Sequence, residues 1–252
     1  MIRLIHLIIA ARDAAAWLPQ TFASISGQVL PSGWRLKVSL GIDACPDTLR
    51  GARRGLPPNA TAHYFPTHCG PYVIFNTLAR QTDCDLIARF DADDVMCREF
   101  LWHQVHALSH ARRLQLAQTW SWQVDSRLRP LPAAPPSIGA GGLRRRPCDG
   151  VFSMTHALWE RLGGFQPWWC SADSEFLLRA TWAGAATAIV PAPLFLRRVH
   201  GASLTQARTT GLRSGLRAGY ASSIEASRKR FARGHLPERV AAVVQPCFAM
   251  TR

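Results

Sequence analysis

Long apolar runs are missing from this chain. No stretch reaches the roughly 20 residues that a membrane-spanning helix needs. LIHLIIAA (residues 4–11) is too short and lacks a signal-peptide cleavage pattern, so a buried strand and a cytoplasmic protein are expected. Paired cysteines are missing too. The seven, at 45, 69, 84, 97, 148, 170 and 247, are dispersed, odd in number and form no Cys-x-x-Cys pair. That argues against a disulfide framework or a zinc knuckle and points to reduced thiols. Acids are scarce and lysine nearly absent: 16 acidic residues face 30 basic ones, of which only Lys37 and Lys229 are lysine, for a net charge of +14. Such charge implies anionic company: nucleotide phosphates, an anionic lipid surface or nucleic acid. No helix-turn-helix, zinc finger or RNA-binding aromatic motif is present, so nucleic acid is not an expected partner. Internal repeats are absent as well.

What remains is 252 residues, 48% of them hydrophobic, enough for one sizeable domain with a small appendage. Short apolar runs alternate with amphipathic stretches over the first hundred residues. LIHLIIAA predicts a strand ending near Arg12 and Asp13, and AAAWLPQTFASISGQ a helix with Trp17, Phe22 and Ile25 on one face. WRLKVSLGI predicts a strand ending at Asp43 in a turn-like ACPDT segment, and AHYF a weak third strand. PYVIFNTLARQ predicts a helix, and CDLIARF a buried strand ending at Asp91. This alternation predicts an α/β fold with a doubly wound, mostly parallel sheet, in which ligands bind beyond the carboxyl ends of strands. Asp13, Asp43 and Asp91 all fall just past such an end.

Further on, residues 99–118 are expected to be helical, with QLAQTWSWQV a strand candidate. RLRPLPAAPPSIGAGGLRRRP reads as an irregular loop. DGVFSMTHALWERLGGF predicts a strand and short helix closing at Gly163 and Gly164, SEFLLRATWAG a helix, and ATAIVPAPLFLRRVH a strand. From about residue 207 the chain turns basic and helical, with Leu212, Leu216, Tyr220 and Ile224 on one face.

Chemistry concentrates at FDADDVM, residues 90–96. Three carboxylates within four residues repel one another unless a cation or arginines neutralise them. Hard oxygen ligands at a strand tip suit Mg²⁺ or Mn²⁺ bridging a diphosphate. The same acids would also suit the first turn of a helix before CREFLWHQV.

The order and separation of several segments resemble the inverting GT-A glycosyltransferases of family two, from about residue 3 to residue 205. The segments are IIAARDAAAWLPQTFASISGQ, VSLGIDACPDT, GPYVIFNTLAR, LIARFDADDVM, LGGF followed by ADSEFLLR, and LRRVHGASLT. The resemblance implies a GT-A domain over 1–206, its donor half about 1–98 and its acceptor half about 99–206, with 207–252 a basic helical extension. It implies transfer of a sugar from a nucleotide-sugar donor, with UDP-sugars the expected type, to a carbohydrate or lipid-linked acceptor in polysaccharide or glycoconjugate synthesis. The cofactor would be Mn²⁺ or Mg²⁺.

Residue roles follow from the same resemblance. Ala11, Arg12 and Asp13 would line the nucleoside pocket and Asp43 would contact the nucleoside, usually its base. Asn76 falls at a donor-binding position, although Phe75 stands where the family usually has arginine. Asp91 would meet ribose or sugar and Asp93 the metal, while Asp94 leaves the register open. His200 would contact metal or diphosphate, or be a surface or structural histidine. Arg197 and Arg198 stand beside it, where a growing negative charge on the diphosphate needs help. Asp173 matches the base that takes the proton of the acceptor hydroxyl, with Glu175 in reserve; a helix-capping role for Asp173 also fits. Arg179 would pair with Asp173 or Glu175. Trp168 and Trp169 would stack on a sugar or pack in the core. The Gln-x-x-Arg-Trp motif of processive synthases is absent, which favours single-sugar transfer. The alternative is an inactive basic protein that binds nucleotides, nucleic acid or a membrane surface, the tail segment ASRKRFARG lying on anionic lipid with Phe231 inserted; such peripheral contact with the inner face of the membrane is also compatible with transfer to a lipid-linked acceptor.

Overall fold

The computed structural model describes residues 2–109, 115–132, 142–147 and 150–250. Arg3–Ala11 form β1, Leu18–Ser26 α1, Trp34–Asp43 β2, Pro46–Arg53 α2, Ala60–Phe65 β3, Pro71–Ala79 α3 and Leu86–Asp91 β4. These four strands are parallel neighbours in the order β3-β2-β1-β4. The strand ends therefore share one edge of the sheet: Ala11 stands opposite Ile42, and Ala10 opposite Asp91. The turn expected at ACPDT is the opening of α2, whose first residue, Pro46, has φ preset for a helix.

The chain continues through Val95–Met96 (β5), Phe100–Ser109 (α4), Gln115–Val124 (β6), Leu143–Arg144 (β7), Phe152–Thr155 (β8), His156–Leu162 (α5) and Ala172–Trp182 (α6). Ala186–Arg198 (β9), Gly215–Ala232 (α7) and Phe248–Met250 (β10) follow. All ten strands described join one sheet, with β8 antiparallel to β4 and to β6, and β9 parallel to β6. The sheet is thus parallel in its first four strands and mixed beyond them. The helix expected over 99–118 is not continuous, because Gln115 already opens β6; the strand's length comes from pairing with β9. Residues 110–114, 133–141, Cys148 and Asp149 lie outside the described residues. The other six cysteines are free.

β1 shows why the sheet is covered on both faces. Its odd residues, Ile5, Leu7, Ile9 and Ala11, pack with Leu18, Phe22 and Ile25 of α1 and with Phe100 and Leu101 of α4. Ile8, on the opposite face, packs with Ile74, Phe75 and Leu78 of α3 and with Trp159 of α5. Burying each large apolar side chain contributes about 1.5–3 kcal/mol, so these two layers fix the strand ends firmly. α3 lies so close to β2 that a Cβ at Gly41 would fall 2.2 Å from a methyl of Ile74. Only glycine admits the helix at that approach.

The basic extension packs onto the domain. Tyr220 of α7 stacks on Trp168, with centroids 4.5 Å apart, and β10 pairs antiparallel with β3. Leu212 lies ahead of α7 and is 70% exposed, so the apolar face expected from 212 to 224 does not form as one stripe. Phe231 is 8% exposed and meets Trp182, so it is unavailable for insertion into lipid. No helix among the described residues is long and apolar enough to cross a membrane.

Candidate functional site

The strand ends open into a cleft of about 870 Å³ lined by Arg12, Asp13, Asp43, His68, Arg89, Asp91, Asp93, Trp169, Asp173, Arg197 and His200, among others. The sheet brings residues from both halves of the chain around one space. The acids differ sharply in what they are free to do.

Asp43 is buried and heavily engaged. Its Oδ1 accepts the Cys69 N–H at 2.9 Å, and its Oδ2 accepts the Gly70 N–H at 3.0 Å and pairs with His68 Nδ1 at 2.7 Å. The carboxylate thereby pins the segment before α3. Gly70 there has φ +83°, and a Cβ on it would meet Trp169 at 3.0 Å, so glycine suits the position on both counts. Arg12 Nη1 donates to the carbonyls of Asp43 and Ala44 at 2.8 and 3.3 Å, clasping the turn after β2. Asp13 adopts φ +52°, which aspartate tolerates, and its side chain is 70% exposed. Ala11 is buried at the end of β1 but borders the cleft.

Asp91 and Arg89 lie on the same face of β4, two residues apart, and Arg89 Nη2 lies 3.2 Å from Asp91 Oδ1. Asp173 stands close by: a Cβ built on Gly150 would lie 3.2 Å from Asp91 Oδ2 and 3.7 Å from Asp173 Oδ2. The surface that Asp91 retains faces this cleft. Burial pushes its carboxyl up to about 6; Arg89 opposes the rise, while Asp93 and Asp173 add to it. Tyr72, buried beside them, has its phenol raised far above the usual range, chiefly by burial.

Asp93 and His200 form the second pair, with Oδ2 and Nε2 2.9 Å apart. That separation matches the edge of roughly 3 Å between adjacent ligands of an octahedral ion with bonds of about 2.1 Å. A carboxylate and an imidazole at that separation are compatible with a shared divalent cation, and equally with the hydrogen bond they make here. Among the described residues, no group of three or more His, Cys, Asp or Glu side chains is arranged to hold a metal on its own. Trp17 packs beside His200, with ring centroids 4.9 Å apart.

At four of the expected site positions the side chain is already engaged within the protein. Asp94 is 2% exposed, its Oδ1 accepts the Arg198 N–H at 2.8 Å, and burial raises its carboxyl well above the usual range; it fastens β9 to the acidic loop at the edge of the cleft. Arg198 is equally engaged, donating to Asp93 O, Ser126 O and Gln20 Oε1 and stacking over Trp17. Arg197 lines the cleft instead, with Nη1 donating to Gln123 Oε1 at 3.2 Å. Asn76 is fully buried and exchanges two hydrogen bonds with the backbone of Phe165, both at 2.9 Å, which keeps it from a donor. Glu175 is 4% exposed and bidentate to Arg179, which also donates to the carbonyls of Leu162 and Gly164. It does not line the cleft. Asp173, by contrast, opens into the cleft from the first turn of α6, its Oδ1 accepting only the local Ser174 N–H among the bonds described.

His68, Arg89, Tyr72 and Trp17 have no site role in the sequence expectations. His68 carried one signal, a polar side chain in the loop beyond the third strand; the others required the fold.

No family model matches the chain, and no curated protein matches it in sequence. Its fold is similar to that of solved structures. One is the mannosyltransferase PcManGT from Pyrobaculum calidifontis in complex with GDP-Man and Mn²⁺, 18% identical, with 96% of this chain and 68% of that one covered at a TM-score of 0.68. TarS 1–349 from S. aureus is 15% identical in its UDP complex, with 92% and 72% covered at 0.60. In its UDP-GlcNAc complex it is 13% identical, with 94% and 74% covered at 0.61. The parallel β3-β2-β1-β4 core, the mixed extension beyond it and these likenesses together give the chain a GT-A-like fold.

Proposed function

We propose that the protein is a glycosyltransferase that moves one sugar from a nucleoside-diphosphate donor to an acceptor hydroxyl with inversion. The observation that carries this reading is the placement of Asp173 beside Asp91, in the same cleft as the Asp93–His200 pair. An inverting displacement needs a base on the acceptor side and charge compensation on the leaving side, and the cleft offers both. The likeness to a mannosyltransferase solved with GDP-Man and Mn²⁺ supports it.

Asp173 takes the proton of the acceptor hydroxyl as that oxygen attacks the anomeric carbon. Asp91 holds a sugar or ribose hydroxyl, kept in place by Arg89. Asp93 and His200 would hold Mg²⁺ or Mn²⁺, which when bound supplies positive charge against the diphosphate. Arg197 adds a second cation on the cleft wall. Arg12 and Asp13 line the nucleoside end.

The test is calorimetric titration with nucleoside diphosphates and nucleotide sugars, with and without Mn²⁺. Binding is expected to need the cation, and Asp93→Ala is expected to weaken it at least tenfold, roughly 1.4 kcal/mol. Tight binding that ignores both the cation and the substitution would overturn the metal assignment.

A further inference from the structure

We infer that His68, and not Asp43 directly, reads the nucleobase, and that its Nε2 selects bases whose ring nitrogen carries a hydrogen: uracil, thymine or guanine over cytosine or adenine. The inference rests on the nucleotide-donor reading and goes beyond it by naming the residue and the base class.

Asp43 is the acid at the end of β2, but its carboxylate is buried and already serves three partners, Cys69 N, Gly70 N and His68 Nδ1. His68 stands in front of it with 47% of its side chain exposed and borders the cleft beside Arg12 and Asp13. A carboxylate oxygen can only accept, so the 2.7 Å contact places the imidazole hydrogen on Nδ1. In the neutral ring Nε2 is then a lone-pair acceptor. Among the described residues no hydrogen bond engages Nε2, so it is open to a ligand.

The ring is also held in orientation. Asp43 fixes one edge, and Trp169 packs beside it with centroids 4.9 Å apart and planes at 52°. Trp169 comes from the segment before α6, so both halves of the chain secure the histidine. An acceptor at a fixed position favours a base that presents a ring N–H. Cytosine and adenine present a ring lone pair instead, which sets acceptor against acceptor.

Nitrogen-resolved NMR of the histidines and calorimetry with UDP, GDP, CDP and ADP test this. The expected spectrum shows the neutral Nδ1–H tautomer for His68; a hydrogen on Nε2, in the other tautomer or in the imidazolium, overturns the inference. With Mn²⁺ present, UDP or GDP is expected to bind at least tenfold more tightly than CDP and ADP. His68→Phe keeps an aromatic ring against Trp169 but removes the acceptor. It is expected to shrink that gap below about threefold; Tm falls too, because buried Asp43 loses one of its three donors, so the readout is the difference between bases and not affinity alone. His68→Gln, which retains an acceptor, is expected to restore part of the gap. Equal binding of all four by the parent protein, or an undiminished gap in His68→Phe, would refute it. If none of the four binds at any cation concentration, the donor reading itself fails.

Discussion

The two walls of the cleft are built differently. On one, the ends of β1, β2 and β4 are fastened by the chain itself. Thr21 Oγ lies 2.9 Å from the carbonyls of both Ala92 and Asp94 and shares its one hydrogen between them, Asp94 holds the Arg198 N–H, and Asp43 holds the 68–70 segment. The other wall, residues 168–174 and 200–217, is open. Trp169, Leu204, Leu212 and Leu216 are 38–70% exposed there. Its chief tie is Arg217, which donates to Thr210 O at 2.7 Å and to Ser171 Oγ at 3.1 Å, joining the loop to the start of α6. On the proposed reading the difference separates two tasks. A preorganised wall holds a nucleotide without reorganisation, whereas an exposed wall can accommodate an acceptor of varied shape. Asp173, the proposed base, belongs to the open side.

The sharpest break of this comparison is Asp173→Asn. Transfer is expected to fall about 10³-fold, roughly 4 kcal/mol at the transition state, while the donor Kd stays within about threefold. Normal turnover in this variant would show that the open wall does not carry the base. Glu175→Gln, two residues away, should give the opposite phenotype. Breaking its buried pair with Arg179 is expected to cost about 3 kcal/mol in denaturant unfolding, with turnover per folded molecule nearly retained. Full stability with lost activity would return Glu175 to the candidate bases.

The smallest effect probes the sheet beneath the fastened wall. His6 is buried at a pKa of about 3, depressed chiefly by burial and then by Lys37, and its Nε2 meets Ser39 Oγ at 2.8 Å. The unfolded chain takes up this proton near pH 6.5 and the folded one does not until about 3. Stability is therefore full above 6.5 and falls as pH drops below it, by up to roughly 1.4 kcal/mol per pH unit for this site. His6→Gln is expected to reduce the slope of unfolding free energy between pH 6.5 and 5 by about one proton. An unchanged slope would place the acid sensitivity elsewhere.

These contrasts also explain how far the sequence could be read. β1, β4 and α3 were legible because their apolar spacing is local and their burial follows from it. Asp91, Asp93, Asp173 and His200 were legible as residue types at strand or helix ends, and the cleft gathers all four. What stayed hidden was which polar groups are already engaged. Asp94 is held by Arg198 from 104 positions away, and Asn76 by Phe165 from 89 away. No local pattern records such a partner. ACPDT failed for a nearer reason: proline and aspartate signal a turn and a first helical turn equally well.

β10 gives the first part of the sheet an unusual dependence on the last. Phe248–Met250 pair with Ala62, His63 and Tyr64, so the outer side of β3 is covered by the last strand described. During synthesis β3 emerges early and β10 late. Until then β3 presents an unpaired row of backbone groups to any other strand nearby. The nascent β3 edge is thus open to mispairing until β10 has been made, and three residues end that exposure.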